Sequence, residues 1–131
     1  MTNVFSEPES IQLSLPLNAA YVSAARLTAS SVANRLGFGT DEIEDIKAAV
    51  SEACTFVIKK SPAPQGGNFQ IQFCMDKDKI SIAIETQGDL GGDPGEMSLV
   101  MIEALMDQFT LDVGTGGTSI SMVKSHKEEL F

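Results

Sequence analysis

Alternation with a period of two is the feature that most restricts how this chain can fold. In "NFQIQFCM" (68–75), Phe69, Ile71, Phe73 and Met75 alternate with polar neighbours. In "ISIAIETQ" (80–87), Ile80, Ile82 and Ile84 do the same, and the charged "DKDK" (76–79) between them makes a tight turn. Successive side chains of a strand point to opposite faces, so these segments form a hairpin with one apolar face that must be covered. "IQLSLPL" (11–17) repeats the pattern with Ile11, Leu13, Leu15 and Leu17, and Pro16 marks an edge or an ending. "FTLDV" (109–113) and "TSISMVKS" (118–125) flank "GTGG" as a second hairpin.

The covering elements follow a period near 3.6. Over 19–36, Val22, Ala25, Ala29, Val32 and Leu36 recur at helical steps, with Asn18 placed to cap the start and Gly37 the end. A second helix is expected from Thr40 or Asp41, where Asp41, Glu42, Glu44 and Asp45 suit the dipole. Its apolar seam is Ile43, Ile46, Val50, Ala53 and Val57, and "SPAPQGG" (61–67) ends it. Residues 96–108 read as a short third helix with Leu99, Ile102 and Met106 inward. The order β-α-α-β-β-α-β-β predicts an α+β, two-layer α/β sandwich. A mixed, mainly antiparallel five-stranded sheet would be covered on one face by three helices. Residues 1–9 are expected to form a flexible N-terminus, 10–125 one domain and 126–131 a flexible tail, with nothing assigned to His126.

Net charge excludes some functions. The chain has 131 residues and a formal net charge of −9. That opposes binding duplex DNA or anionic lipid through a basic face. No run reaches membrane-spanning length and nothing resembles a signal peptide. Cys54 and Cys74 match no zinc or redox spacing. They are expected to be reduced thiols in a cytoplasmic protein.

One helical stripe invites a chemical question. Glu52, Phe56 and Lys60 stand four residues apart, and Glu52 has only Ala48, Ala49, Thr55 and Phe56 as helical neighbours. A solvated glutamate on an exposed face is the usual case. An apolar surround would instead desolvate the carboxylate and suit it to accepting a proton.

"AVSEACTFVIKK" (49–60), "ETQGD" (85–89), "MIEALMDQF" (101–109) and "GTSISMVK" (117–124) resemble the bacterial anti-sigma factors that are also serine/threonine kinases, within the GHKL (histidine kinase-like) ATPase superfamily. The resemblance runs over nearly the whole chain and implies the histidine kinase-like ATPase fold. It also implies a role in transcription regulation in a bacterial cytoplasm. By position it makes Glu52 the general base of a kinase, and Gly88, Thr118 and Thr86 the remnants of an ATP site. Arg26 falls on an arginine of the protein-partner surface.

The departures are as informative as the matches. Phe56 falls on the family's magnesium-holding Asn and offers no oxygen. Thr86 falls on the adenine-recognising Asp, and Glu96 and Ser98 fall on phosphate-loop glycines. Only "LGGDPG" (90–95) stands where the family has its lid. The resemblance with these losses implies a pseudokinase: an anti-sigma factor-like protein acting by protein binding, with no metal and no cofactor expected. Its partners would be a sigma factor and an anti-anti-sigma antagonist, with a homodimer possible and no direct DNA or membrane binding. The alternative is an active ATP- and magnesium-dependent serine/threonine-protein kinase with Glu52 as base. A second alternative is a structural or dimerisation module.

Overall fold

The computed structural model describes residues 9–61, 67–88, 96–114 and 116–126. The elements run β1 (Glu9–Pro16), a 3-10 turn (Ala19–Tyr21), α1 (Val22–Arg35), α2 (Thr40–Lys60), β2 (Asn68–Asp76), β3 (Lys79–Thr86), α3 (Met97–Leu105), β4 (Gln108–Gly114) and β5 (Gly117–Ser125). This is the order the periodicities predict. The sheet order is β1-β2-β3-β5-β4. All four pairings are antiparallel, so the sheet is not mixed. Two hairpins, β2–β3 and β4–β5, need no parallel crossover, and β1 closes one edge, where the ladder loses nothing to the missing N–H of Pro16.

The apolar face of the sheet is the alternating set. Phe69, Ile71, Phe73, Ile80, Ile82, Ile84, Ile120 and Met122 are buried, while Gln70, Glu85 and Ser121 between them are exposed. Against that face lie Ala25, Ala29, Val32 and Ala33 of α1 and Ile46, Ala49, Val50, Ala53 and Val57 of α2. Leu99 and Ile102 of α3 complete the layer. Each fully buried Ile or Phe contributes about 1.5–3 kcal/mol relative to exposure. The alanines of α1 let it approach α2 closely.

The helix ends follow local chemistry. The Asn18 side chain accepts from the Ala20 N–H at 2.9 Å and starts the 3-10 turn that leads into α1. At the other end, Gly37 takes φ of 89°, the Gly37 N–H donates to Asn34 O, and the Phe38 N–H donates to Ala33 O, both at 3.1 Å. This pair of bonds satisfies carbonyls the helix leaves open and needs a left-handed residue. It also delivers Phe38 into the core, 5% exposed, immediately before α2. The Glu42 carboxylate accepts from the Gly39 N–H at 3.0 Å and so caps the start of α2.

His126 is held, although the sequence grouped it with the tail. Its N–H donates to Asp78 O at 2.7 Å, its Nδ1 lies 3.1 Å from Glu42 Oε1, and its ring meets Phe38 at 5.4 Å between centroids. The partners come from the segment just before α2, from α2 itself and from the β2–β3 turn, which sequence distance hides. Lys124 is also a tie: its ammonium donates to Leu105 O at 2.6 Å, at the C-terminal end of α3, and lies 3.5 Å from Asp45. The segments 1–8, 62–66, 89–95 and 127–131, including the short "LGGDPG" run, lie outside the described residues.

Candidate functional site

The last turns of α2 carry the stripe singled out above. Glu52 is half-buried and has no hydrogen-bond or ion-pair partner among the described residues. Phe56 is 2% exposed and belongs to the main core. The ammonium of Lys60 lies 6.0 Å from the centroid of the Phe56 ring and 2.6 Å from Glu96 Oε1. Glu96 is the N-cap residue of α3, and its side chain makes no capping bond there. Aromatic ring, ammonium and carboxylate therefore form one contact between the end of α2 and the start of α3.

A second group gathers where β3 and β5 end. Thr86 and Thr118 are register partners across the two strands. Thr118 is 2% exposed, and its Oγ1 donates to Gly88 O at 2.8 Å. Gly88 takes φ of 87°, a conformation that favours glycine, so the turn after β3 and the start of β5 are fastened by a side chain. Gly117 lies against the same strand: a Cβ there would stand 2.9 Å from the Thr86 carbonyl oxygen. Close backbone approach requires glycine at that position.

The predicted residues fall into three places. Thr86 and Thr118 line a cleft of about 390 Å³ at this end of the sheet, and Gly88 is bonded to one of them. Glu52 does not line that cleft; it lies on α2. Arg26 is exposed on α1 and lines neither group. The cleft also takes in Asn68, Gln70, Glu85 and Ser119, which sequence reasoning passed over. Alternation assigned them to the polar face; only the register shows that they meet. Among the described residues, no group of three or more His, Cys, Asp or Glu side chains is placed to hold a metal ion. Among the same residues, no helix is long and apolar enough to cross a membrane.

A two-layer sandwich with its helices on one face of an antiparallel sheet, and a threonine fastened to a turn glycine beside them, defines a class that sequence comparison can name. The sequence profile of the Histidine kinase-like ATPase domain matches residues 15–124. The chain belongs to that family. It is 33% identical over 130 residues to the Serine-protein kinase RsbW of Halalkalibacterium halodurans, covering 84% of this chain and 80% of that protein. It is 32% identical over 135 residues to the Serine-protein kinase RsbW of Bacillus licheniformis, covering 87% and 84% respectively.

Solved structures agree on the fold. The RsbU and RsbW domains of a Mycobacterium tuberculosis protein superpose with a TM-score of 0.74 at 18% identity, covering 89% of this chain and 32% of that one. The histidine kinase domain of a blue-light activated kinase from Erythrobacter litoralis gives 0.54 at 17%, covering 84% and 61%. This chain thus spans about a third of the first structure's length and three-fifths of the second's.

Proposed function

We propose that the chain is an anti-sigma regulatory factor that works by binding proteins, with a nucleotide site that no longer operates. The observation that carries this reading is Phe56. It stands where the family resemblance calls for a magnesium ligand, and it is a buried ring, 2% exposed, under the Lys60 ammonium. Magnesium takes oxygen ligands in near-octahedral geometry, which a phenyl ring cannot supply. On this reading the side chains do not fit a magnesium-bridged triphosphate. Glu96 adds a carboxylate at the start of α3, where the phosphates would dock. Alone, such a carboxylate would repel a phosphate charge by on the order of 1–4 kcal/mol near 4 Å; the Lys60 ammonium at 2.6 Å offsets part of that.

The partners on this reading are a sigma factor and an anti-anti-sigma antagonist, met in the cytoplasm, with exposed Arg26 on α1 at the contact surface. The net charge of −9 favours encounter with a basic partner.

One observation favours a second reading, an active serine-protein kinase. Relatives that align over four-fifths or more of both chains carry the name Serine-protein kinase, and the motif resemblance puts Glu52, Gly88 and Thr118 on the family's site positions. Thr86 is then the weakened adenine contact, and Glu52 the base.

Calorimetric titration with Mg-ATP separates the two. Absence of saturable binding supports the first reading; tight binding, followed by phosphoryl transfer to a co-purified partner, establishes the second. Affinity capture from native cells with mass spectrometry tests the partner class. Recovery of neither a sigma factor nor its antagonist favours the structural or dimerisation module.

A further inference from the structure

The geometry points to the cleft at the open end of the sheet as a docking site for an arginine side chain of a protein partner, independently of whether nucleotide binds. The cleft measures about 390 Å³, within the size range of a ligand pocket. Asn68, Gln70, Glu85 and Ser119 reach it from the sheet face away from the helices, because Phe69, Ile84 and Ile120 between them point into the core. The register sets Ser14, Gln70, Glu85 and Ser119 in one row across β1, β2, β3 and β5, with Asp112 next on β4.

The row presents hydrogen-bond acceptors. Asn68 Nδ2 lies 3.1 Å and Gln70 Nε2 3.0 Å from the same oxygen, Ser14 Oγ. A hydroxyl carries one hydrogen and can donate to only one amide. At least one of the two amides therefore donates to Ser14 and keeps its carbonyl oxygen for another donor. Beside Gln70 stands the exposed Glu85 carboxylate, the one charged side chain among the described residues lining the cleft.

No base offsets it. Among the described strands the only Lys or Arg on this face is Lys79, six residues from Glu85 along β3, roughly 20 Å away, and itself across from Asp76. An anionic ligand meets Glu85 and a net charge of −9. A cation with several N–H donors fits instead. The guanidinium group offers five in a planar fork, able to reach acceptors on strands about 4.8 Å apart, whereas an ammonium is a point donor.

The test is a titration of the full, 15N-labelled chain with N-acetyl-L-argininamide, followed by NMR. Saturable shifts are expected in the side-chain amides of Asn68 and Gln70 and the backbone amides of Glu85 and Ser119. Glu85→Gln should weaken the effect about fivefold, as for an exposed charge pair, and Gln70→Leu should weaken it further. Both positions are solvent-facing, so an unchanged spectrum elsewhere verifies the fold. Shifts confined to other residues, or unaltered by Glu85→Gln, overturn the proposal. Equal shifts with N-acetyl-L-lysinamide or spermidine overturn the guanidinium assignment. Displacement by Mg-ATP at the same resonances makes the cleft part of a nucleotide site and also overturns it.

Discussion

The ammonium of Lys60 sits 2.6 Å from the carboxylate of Glu96, joining the last turn of α2 to the residue that opens α3. Both side chains remain partly exposed, at 39% and 26%. Water and salt screen such a pair, so its contribution to stability should stay below about 1 kcal/mol. The ring under it is different: Phe56 is 2% exposed, and Phe56→Ala should cost about 3–5 kcal/mol. Urea unfolding of Lys60→Met and Phe56→Ala compares the two directly. A larger loss from Lys60→Met would mean that charge, not apolar burial, holds these helices together.

Thr118 fastens β5 to the turn after β3 through its bond to Gly88 O. Thr118→Val keeps the shape and removes the donor, leaving a carbonyl to find another partner. A loss of about 1–3 kcal/mol is expected. Thr118→Ser should restore much of it. Equal losses for the two variants would assign the effect to packing.

Lys77, in the β2–β3 turn, has φ of 59°. A side chain in the left-handed region costs roughly 1–2 kcal/mol because its Cβ crowds the following carbonyl. Lys77→Gly relieves that strain but adds freedom to the unfolded chain, so a net gain of about 1 kcal/mol or less is expected. A lower melting temperature for Lys77→Gly would count against strain at this turn.

Burial pushes the Cys54 thiol from an ordinary 9.0 up to about 12. Between those values the folded chain keeps the proton while the unfolded chain releases it. The unfolded state then binds fewer protons, so stability falls as pH rises from 9 towards 12, by up to about 1.4 kcal/mol per pH unit. Below pH 9 this thiol adds no slope. The measurement is the difference in stability between the parent chain and Cys54→Ala across pH 8–11, which isolates the thiol. Parallel curves would show that the thiol is not shielded in solution.

Much of the fold was legible because two periods, 2 and 3.6, separate strand from helix without reference to the partner element. Gly37 as a left-handed cap, Asn18 as a helix starter and the "DKDK" turn are local events, decided within a few residues. Element limits moved where neighbours intervened. The third helix ends at Leu105 instead of 108, and the Met106 N–H still donates to Ile102 O as β4 begins at Gln108. The site was half legible. Glu52, Gly88, Thr86 and Thr118 are findable as motif positions, but that Thr118 donates to Gly88, and that Lys60 reaches Glu96, joins residues 30 and 36 positions apart.

By itself the sequence determined which residues are apolar on one side of each element, and hence that five strands and three helices must share one core. Alternation and helical spacing are properties of the chain's own geometry. Tertiary structure alone decided which polar side chains meet: His126 with Glu42, Lys124 with the end of α3, and Asn68 and Gln70 on one serine hydroxyl. Those meetings depend on strand register and layer packing, which fix distances between residues far apart in the chain. Hydrogen bonds and charges act over only a few ångströms, so their partners are settled only once the core has formed.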